Sequence, residues 1–187
     1  MASDALQRVT ARLDERGIAY RLIGAAALAV HGVSRSTRDL DLLVADEAVL
    51  DPELWAGVAP SGYLLEVRRG DATDPLTGVV RLEEELSDDT GWDTTPDLID
   101  VVVLTGPWAR RAVSGDGPAT EIGAVTLRAV DAVNLVLLKL YAGSARDGWD
   151  VAALLEAVDE PDPLIAGVEA GLSSLPERCR RLWDRLR

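Results

Sequence analysis

The segment at residues 98–104, with the sequence LIDVVVL, is the most β-rich run in the chain. A short run of β-branched and apolar residues is typical of a strand that is buried on both faces. We therefore expect a central strand of a sheet here. Its one charged residue, Asp100, is difficult to explain by packing, because an unpaired charge in a buried strand is unfavourable.

A second predicted strand, residues 38–45 with the sequence RDLDLLVA, carries two aspartates. Side chains alternate between the faces of a strand, so Asp39 and Asp41 share one face and Leu40 and Leu42 lie on the other. Two adjacent buried carboxylates repel each other unless a proton or cation compensates, and Mg²⁺ prefers oxygen ligands. An edge strand with two solvated carboxylates explains the pair equally well when it is taken alone.

A strand, a turn and a helix are predicted upstream of this pair. Residues 19–23 predict a short strand that runs into Gly24, and the following helix-favouring sequence ends at Gly32. The start of a helix presents unpaired N–H groups that suit a phosphate. Taken alone, Gly24 is more simply a turn residue, and its spacing from the aspartates is what gives it weight.

The remaining pattern completes an α+β fold class. Strands are expected at residues 63–68 and 79–85, and helices at residues 3–16, 46–56, 108–113, 131–141, 144–158, 163–172 and 176–186. Two short strand-like pieces precede Val130. We therefore predict an α+β core at residues 1–106 and a mainly helical C-terminal part at residues 107–187 packed on it, with no obvious linker.

Composition excludes several classes of protein. The formal net charge of −13, from 32 acidic and 19 basic residues, argues against a broad nucleic-acid surface, which depends on Lys and Arg. A single cysteine, Cys179, and a single histidine, His31, argue against a disulfide, a zinc cluster or a Cys/His catalytic pair. No apolar stretch is long enough to span a membrane, and the charged N-terminus is unlike a secretory signal, so a cytoplasmic location is expected.

The spacing of these features resembles a known signature. Gly24-Ala25, thirteen intervening residues and then Asp39-Leu40-Asp41 resemble the hG[G/S]…Dh[D/E]h motif of nucleotidyltransferases related to DNA polymerase β. More narrowly, residues 22–44 resemble a segment of the AbiEii-like small bacterial nucleotidyltransferases, which include toxins of toxin–antitoxin and phage-defence systems. The resemblance implies a nucleotidyltransferase fold, with a mixed β-sheet flanked by helices and followed by a helical part.

The resemblance also implies a reaction and a metal site. A nucleoside monophosphate would pass from an NTP to an acceptor hydroxyl, with release of pyrophosphate. Asp39, Asp41 and a third carboxylate would be both catalytic and metal-binding, holding two Mg²⁺ ions or Mn²⁺ in their place. Asp100 in Ile99-Asp100-Val101 has the expected form for the third carboxylate and is preferred over Glu66 and Asp97.

Nucleotide binding is expected at Gly24, Ala25, Thr37 and Lys139. Many relatives have Ser or Gly where this chain has Ala25, so a hydroxyl contact to phosphate is excluded there and backbone N–H groups would replace it. Thr37, like its neighbours Arg35 and Arg38, fits a solvated loop as well as a phosphate contact.

Lys139 is the sole lysine of the chain and lies in an otherwise apolar helix. Its segment, LKLYAGSARDGWDVAALL, resembles a part of the AbiEii-like group in which the lysine is associated with nucleotide phosphates. Arg146, Asp147 and Asp150 belong to the same segment, although the two aspartates fit helix capping or pairing with arginine equally well. His31 is more simply a structural histidine than a catalytic one.

The sequence leaves the acceptor open among RNA such as tRNA, a protein hydroxyl and a small molecule such as an aminoglycoside-like antibiotic. The acidic charge balance weakens RNA slightly and suits a polycationic antibiotic. An antitoxin partner follows from the resemblance alone. Two alternatives to an enzyme stay open, a catalytically degenerate module that binds a nucleotide or a partner protein, and a plain structural domain in which the spacing is accidental.

Overall fold

The computed structural model describes residues 2–35, 39–70, 76–85 and 97–187. Its strands are β1 (Tyr20–Ile23), β2 (Asp39–Val44), β3 (Tyr63–Arg69), β4 (Gly78–Glu84), β5 (Leu98–Val103), β6 (Ala119–Ile122) and β7 (Val125–Arg128). Its α-helices are α1 (Ala2–Glu15), α2 (Gly24–Val30), α3 (Pro107–Ser114), α4 (Ala132–Ala142), α5 (Ala145–Ala157), α6 (Pro161–Gly171) and α7 (Glu177–Leu186).

Five of the strands form one mixed sheet in the order β1-β2-β5-β4-β3. Strand β2 pairs parallel with β5, and the other neighbouring pairs are antiparallel. Helices α2 and α3 contact β1 and β2, and the β6–β7 hairpin reaches the β1 edge through a bridge between Leu22 and Ala129. The predicted α+β class, with a mixed sheet flanked by helices and followed by a helical part, is confirmed.

Strand β5 is the middle strand of the sheet, as its sequence predicts. One of its faces is fully covered, because Ile99, Val101 and Val103 are each at most 1% exposed. The prediction that both faces are buried is wrong, because Asp100 and Val102 on the other face are only partly covered. The partly covered face is therefore where this strand can meet a ligand.

The C-terminal part is built around α4, which is apolar on most of its surface and packs against α5, α6 and α7. Asp131 caps its start by accepting the backbone N–H of Asn134 at 2.9 Å, and Gly143 ends it with φ of +72°. Helix α5 begins with a reciprocal capping box between Ser144 and Asp147. These caps fix where Lys139 and Asp147 enter the space beside the sheet.

The expected helix at residues 46–56 does not form as one helix. Two short 3-10 helices, Glu47–Leu50 and Pro52–Trp55, replace it. Pro52 has no N–H to donate, and the Asp51 side chain accepts the backbone N–H of Glu53, so a new turn begins at this point. The other predicted elements are present, with bounds that differ by a few residues.

No helix in the part of the chain that the structure describes is long and apolar enough to cross a bilayer.

Candidate active site

A row of charged side chains crosses the partly covered face of the sheet. Asp41 on β2 is the direct Cα partner of Asp100 on β5, Asp100 is the partner of Arg81 on β4, and Arg81 is the partner of Glu66 on β3. Directly opposite residues project from the same face, so these four side chains share it. The pairing of β2 with β5 thus brings together two of the three predicted carboxylates.

Asp41 lies against the turn that opens α2. Gly24 has φ of +67°, and a Cβ at this position would overlap the Oδ2 atom of Asp41. Two properties of glycine are therefore required at this position: it adopts the left-handed backbone conformation, and it has no side chain in the space that the Asp41 carboxylate fills. Ile23, the register partner of Asp41 on β1, closes the other side of this arrangement.

The carboxyl of Asp41 is largely buried, and its pKa is raised to about 6. Burial is the main cause, and the negative charges of Asp100 and Asp39 add to it. Lys139 and Arg81 act in the opposite direction without cancelling the effect. Burial and the neighbouring carboxylates therefore disfavour the ionised form of Asp41, and a divalent cation bound beside it would favour that form.

Asp100 is held by a two-point ion pair. Arg81 donates from Nε to Oδ1 of Asp100 at 2.9 Å and from Nη2 to Oδ2 at 2.8 Å. The pairing with Asp100 raises the pKa of the Arg81 guanidinium, so the arginine is charged throughout the accessible pH range. Both oxygens of the expected third metal ligand thus already accept hydrogen bonds.

Asp39 starts strand β2 and is exposed, two residues before Asp41 and on the same face. Its Cα partner on β5 is Leu98, so Asp39 lies two residues along the strand from the Asp41–Asp100 pair. Within the described ranges, no three His, Cys, Asp or Glu side chains converge closely enough to hold a metal ion by themselves. A cation here would be held by one or two of these carboxylates and would take its remaining oxygen ligands from water or a substrate.

Lys139 belongs to a second charged cluster, formed by four side chains. Its Nζ lies 3.0 Å from Oδ1 of Asp147 and 2.7 Å from Oδ2 of Asp150. Asp150 also accepts two hydrogen bonds from Nη1 of Arg35, at 2.6 and 2.7 Å. Asp150 therefore joins α5 to Arg35, which follows α2 in the chain.

A cavity of about 370 Å³ lies between these two clusters. Asp41, Lys139 and Asp147 line it together with Gly24. The rest of its lining is mostly apolar and includes Leu76, Val102, Leu104, Leu135, Leu138 and Tyr141. The ring of Tyr141 is fixed between Trp108, at 5.0 Å between ring centroids, and the guanidinium of Arg178, at 5.1 Å.

The other predicted positions are placed as follows. Ala25 is buried in the first turn of α2, and Thr37 lies outside the described residues. His31 Nε2 donates to the carbonyl of Val130 at 2.8 Å, which is a structural contact. Glu66 pairs with Arg68 on its own strand, farther along the row than Asp100.

Arg81 is the residue of this site that the sequence did not reveal. A lone arginine between Val80 and Leu82, which are 2% and 1% exposed, is its only local signal. That signal becomes meaningful once the register of β4 against β5 is known. The order of the strands, in which β5 lies between its parallel partner β2 and its antiparallel partner β4, cannot be predicted from the residue pattern.

Comparisons with known proteins give weak similarities. No protein-family model matches the sequence, and no curated protein matches it. Among solved structures, ANT(2'')-Ia in complex with adenylyl-2''-tobramycin is 19% identical, with a TM-score of 0.43 and coverage of 97% of this chain and 94% of that one. JHP933 from Helicobacter pylori is 15% identical, with a TM-score of 0.43 and coverage of 97% and 85%. A further structure from H. pylori, provisionally assigned as a nucleotidyltransferase, is 15% identical, with a TM-score of 0.44 and coverage of 97% and 88%.

Identities and TM-scores in this range do not assign a family. The function therefore has to be argued from the side chains of this chain.

Proposed function

We propose that this protein is a metal-dependent nucleotidyltransferase that moves a nucleoside monophosphate from an NTP to an acceptor hydroxyl and releases pyrophosphate. The observation that carries the proposal is the pairing of Asp41 with Asp100 across two parallel strands, beside a cavity that Lys139 also lines. Two carboxylates next to a lysine and a ligand-sized space supply what a metal–triphosphate complex needs.

The donor set fits a magnesium ion. Asp41 offers a largely buried carboxylate whose pKa is raised, mainly by burial and further by the charges of Asp100 and Asp39, and Asp39 lies on the same face. Mg²⁺ is commonly held by one or two carboxylates together with substrate phosphates, so a closed protein cage is not required. When bound, the ions would neutralise phosphate charge and activate the acceptor oxygen, with Asp39, Asp41 and Asp100 as ligands.

The nucleotide would lie in the cavity. The ammonium group of Lys139 would hold phosphate oxygens, and the apolar lining would cover the nucleoside. Gly24 lines the same space, and Ala25 and Thr37 are proposed as further phosphate contacts. Positioning and charge neutralisation would then supply most of the rate enhancement.

The acceptor is proposed to be cationic or neutral rather than a long nucleic acid. The net charge of −13 repels a phosphate backbone and attracts a polycation such as an aminoglycoside-like compound. A tRNA end bound through a few local contacts and a protein hydroxyl are the competing acceptors. Membership of the AbiEii-like group, a toxin role and a cognate antitoxin form the finer part of the same proposal.

A second candidate function is a nucleotide-binding module without catalysis. Two observations favour it: both oxygens of Asp100 are already bound by Arg81, and Ala25 offers no hydroxyl to a phosphate. Such a module would bind an NTP in the cavity and leave it intact.

The test is a transfer assay with purified protein, Mg²⁺ and each α-³²P-labelled NTP. Total RNA, candidate proteins and aminoglycosides serve as separate acceptors. The Asp39→Asn/Asp41→Asn variant tests whether transfer depends on these two carboxylates. The control variant, Asp159→Asn/Asp162→Asn, removes the same charge from exposed positions. We expect label on one acceptor class, retained in the control and lost in the site variant.

Other results separate the alternatives. NTP binding without transfer to any acceptor favours the binding module, and transfer that survives the site variant contradicts the proposed centre. Growth arrest on expression in a bacterial host, abolished by the same site variant, would support the toxin role. Normal growth would remove that role and leave the transfer activity to be judged by the assay.

A further inference from the structure

Arg81 and Asp100 form a two-point ion pair on the partly covered face of the sheet, beside Asp41. The guanidinium is held in place because its strand neighbours Val80 and Leu82 are buried on the opposite face. Its side chain is 34% exposed and that of Asp100 is 13% exposed, so the pair is sheltered without being sealed. A two-point arginine–carboxylate pair of this kind is stronger and more directional than a single hydrogen bond.

The neighbourhood of this pair is dominated by negative charge. Asp41 lies beside Asp100, and both Asp100 and Asp39 raise the pKa of Asp41. Lys139, the other cation near Asp41, is already engaged by Asp147 and Asp150. Arg81 is therefore the cation that forms an ion pair with Asp100, whereas Lys139 and Arg81 both act on Asp41 through the charge that they place near it.

We propose that Arg81 is the resident counter-ion of the carboxylate centre and competes with a divalent cation for Asp100. This inference rests on the proposed function, because it concerns the metal site placed at the same carboxylates. A cation that is ligated by Asp100 must replace at least one of the two Arg81 hydrogen bonds. Arg81 thus sets the metal affinity of the nucleotide-free protein, and is a positioning residue because it acts through Asp100.

A merely structural ion pair predicts a different result. Removing a structural arginine would loosen the site and weaken metal binding or leave it unchanged. Removing a competing counter-ion frees both oxygens of Asp100 and takes away positive charge near Asp41, so metal binding becomes tighter. The direction of the change in affinity therefore distinguishes the two roles.

The experiment is a titration with Mn²⁺ alone, followed by electron paramagnetic resonance of the free ion, on nucleotide-free protein. We expect Arg81→Gln to bind Mn²⁺ about tenfold more tightly than the wild type, because the substitution removes the charge-assisted hydrogen bonds with which Arg81 occupies the oxygens of Asp100. Mg²⁺ should also raise the melting temperature more in Arg81→Gln than in the wild type. Arg81→Lys keeps the charge without the two-point geometry and should bind Mn²⁺ with intermediate affinity.

Arg68→Gln is the matched control. Arg68 also binds a carboxylate at two points, that of Glu66, but this pair is 55% exposed on each side and lies on β3, two strands away from Asp100. Its loss should leave Mn²⁺ affinity unchanged. Circular dichroism of each variant establishes that the fold is retained, and Arg81→Lys supplies the comparison if Arg81→Gln fails to fold.

Unchanged or weaker Mn²⁺ binding in folded Arg81→Gln would overturn the inference. If Asp41→Asn still abolishes Mn²⁺ binding in that case, the proposed metal site stands without the competing arginine. Mn²⁺ binding that is insensitive to Asp41→Asn would instead contradict the proposed metal site itself. Tighter binding in Arg81→Gln that requires Asp100, shown by its loss in the Arg81→Gln/Asp100→Asn double variant, is the result we expect.

Discussion

Asp41 and Asp100 are direct partners on adjacent parallel strands, and the guanidinium of Arg81 donates hydrogen bonds to both carboxylate oxygens of Asp100. Two identical side chains thus experience different surroundings within one row of the sheet. Asp100 has a dedicated cation, whereas Asp41 is buried against the turn at Gly24 with its pKa raised. The two carboxylates should therefore respond differently to mutation, and the raised pKa of Asp41 makes its contribution to stability depend on pH.

Asp41→Asn should stabilise the metal-free protein at pH 7 to 8. The pKa of Asp41 is raised from 3.8 to about 6, so the ionised carboxylate is less favourable in the folded chain than in the unfolded chain. This penalty is absent below pH 4, grows as the pH rises to 6, and is complete above that. We expect a gain of about 1 to 3 kcal/mol at pH 7, since one pKa unit corresponds to about 1.4 kcal/mol.

Urea unfolding at pH 4 and pH 7 measures this effect. Asp159→Asn removes an exposed carboxylate and should change stability by less than about 0.5 kcal/mol at both pH values. A gain for Asp41→Asn that is equal at the two pH values would show that ionisation is not its cause.

Gly24→Ala should damage the site more than its backbone strain alone explains. The left-handed conformation costs a non-glycine residue about 1 to 2 kcal/mol, and the new Cβ also displaces the Asp41 carboxylate. Gly17→Ala is the matched control, because Gly17 has a similar φ of +64° with nothing within 4 Å of the added Cβ. Thermal unfolding and Mn²⁺ titration of both variants test the prediction, which fails if they behave alike.

Asp150→Asn should destabilise the fold by about 3 kcal/mol. The substitution leaves Arg35 and Lys139 with their positive charge and takes away the carboxylate that they share. Asp4→Asn, which disturbs the exposed pair with Arg8, should cost less than about 1 kcal/mol. Denaturant unfolding at pH 7 compares the two. Equal small losses would mean that the buried cluster contributes little to stability.

Lys139→Met should weaken NTP binding by roughly 10- to 100-fold, because a charged hydrogen bond contributes about 1.5 to 3 kcal/mol. Methionine retains most of the length of the side chain, so the apolar lining of the cavity is kept. Arg146→Met, at an exposed position on α5, removes a positive charge outside the cavity lining and should have a small effect. Titration with a fluorescent nucleotide provides the measurement, and equal losses in both variants would reduce the role of Lys139 to general electrostatics.

The sequence predicted the elements of this site better than their assembly. The alternation in β2 was sufficient to place Asp39 and Asp41 on one face, and the β-rich pattern of β5 was sufficient to make it central. These are local properties of one strand, determined by its period of two. The partnership of Arg81 with Asp100 depends on strand order and register across residues far apart in sequence, which no local pattern determines.

In the helical segments, too, local interactions could be predicted from the sequence and contacts between distant residues could not. The start of α5 was readable from Ser144 and Asp147, because capping is a local interaction. The contact of Asp150 with Arg35 spans more than one hundred residues of sequence, and the alternatives of capping and arginine pairing could not be separated for the two aspartates. The structure assigns capping to Asp147 and arginine pairing to Asp150.

The overlap between a side chain at position 24 and the Asp41 carboxylate has a consequence for natural variation. A lineage that replaced Gly24 would have to move Asp41 at the same time, so the two positions should change together or not at all. Homologues that carry a larger residue at position 24 are therefore expected to be those in which selection on the carboxylate centre has been relaxed. Glycine at this position is therefore expected to mark the relatives in which the carboxylate at position 41 keeps its place against the turn.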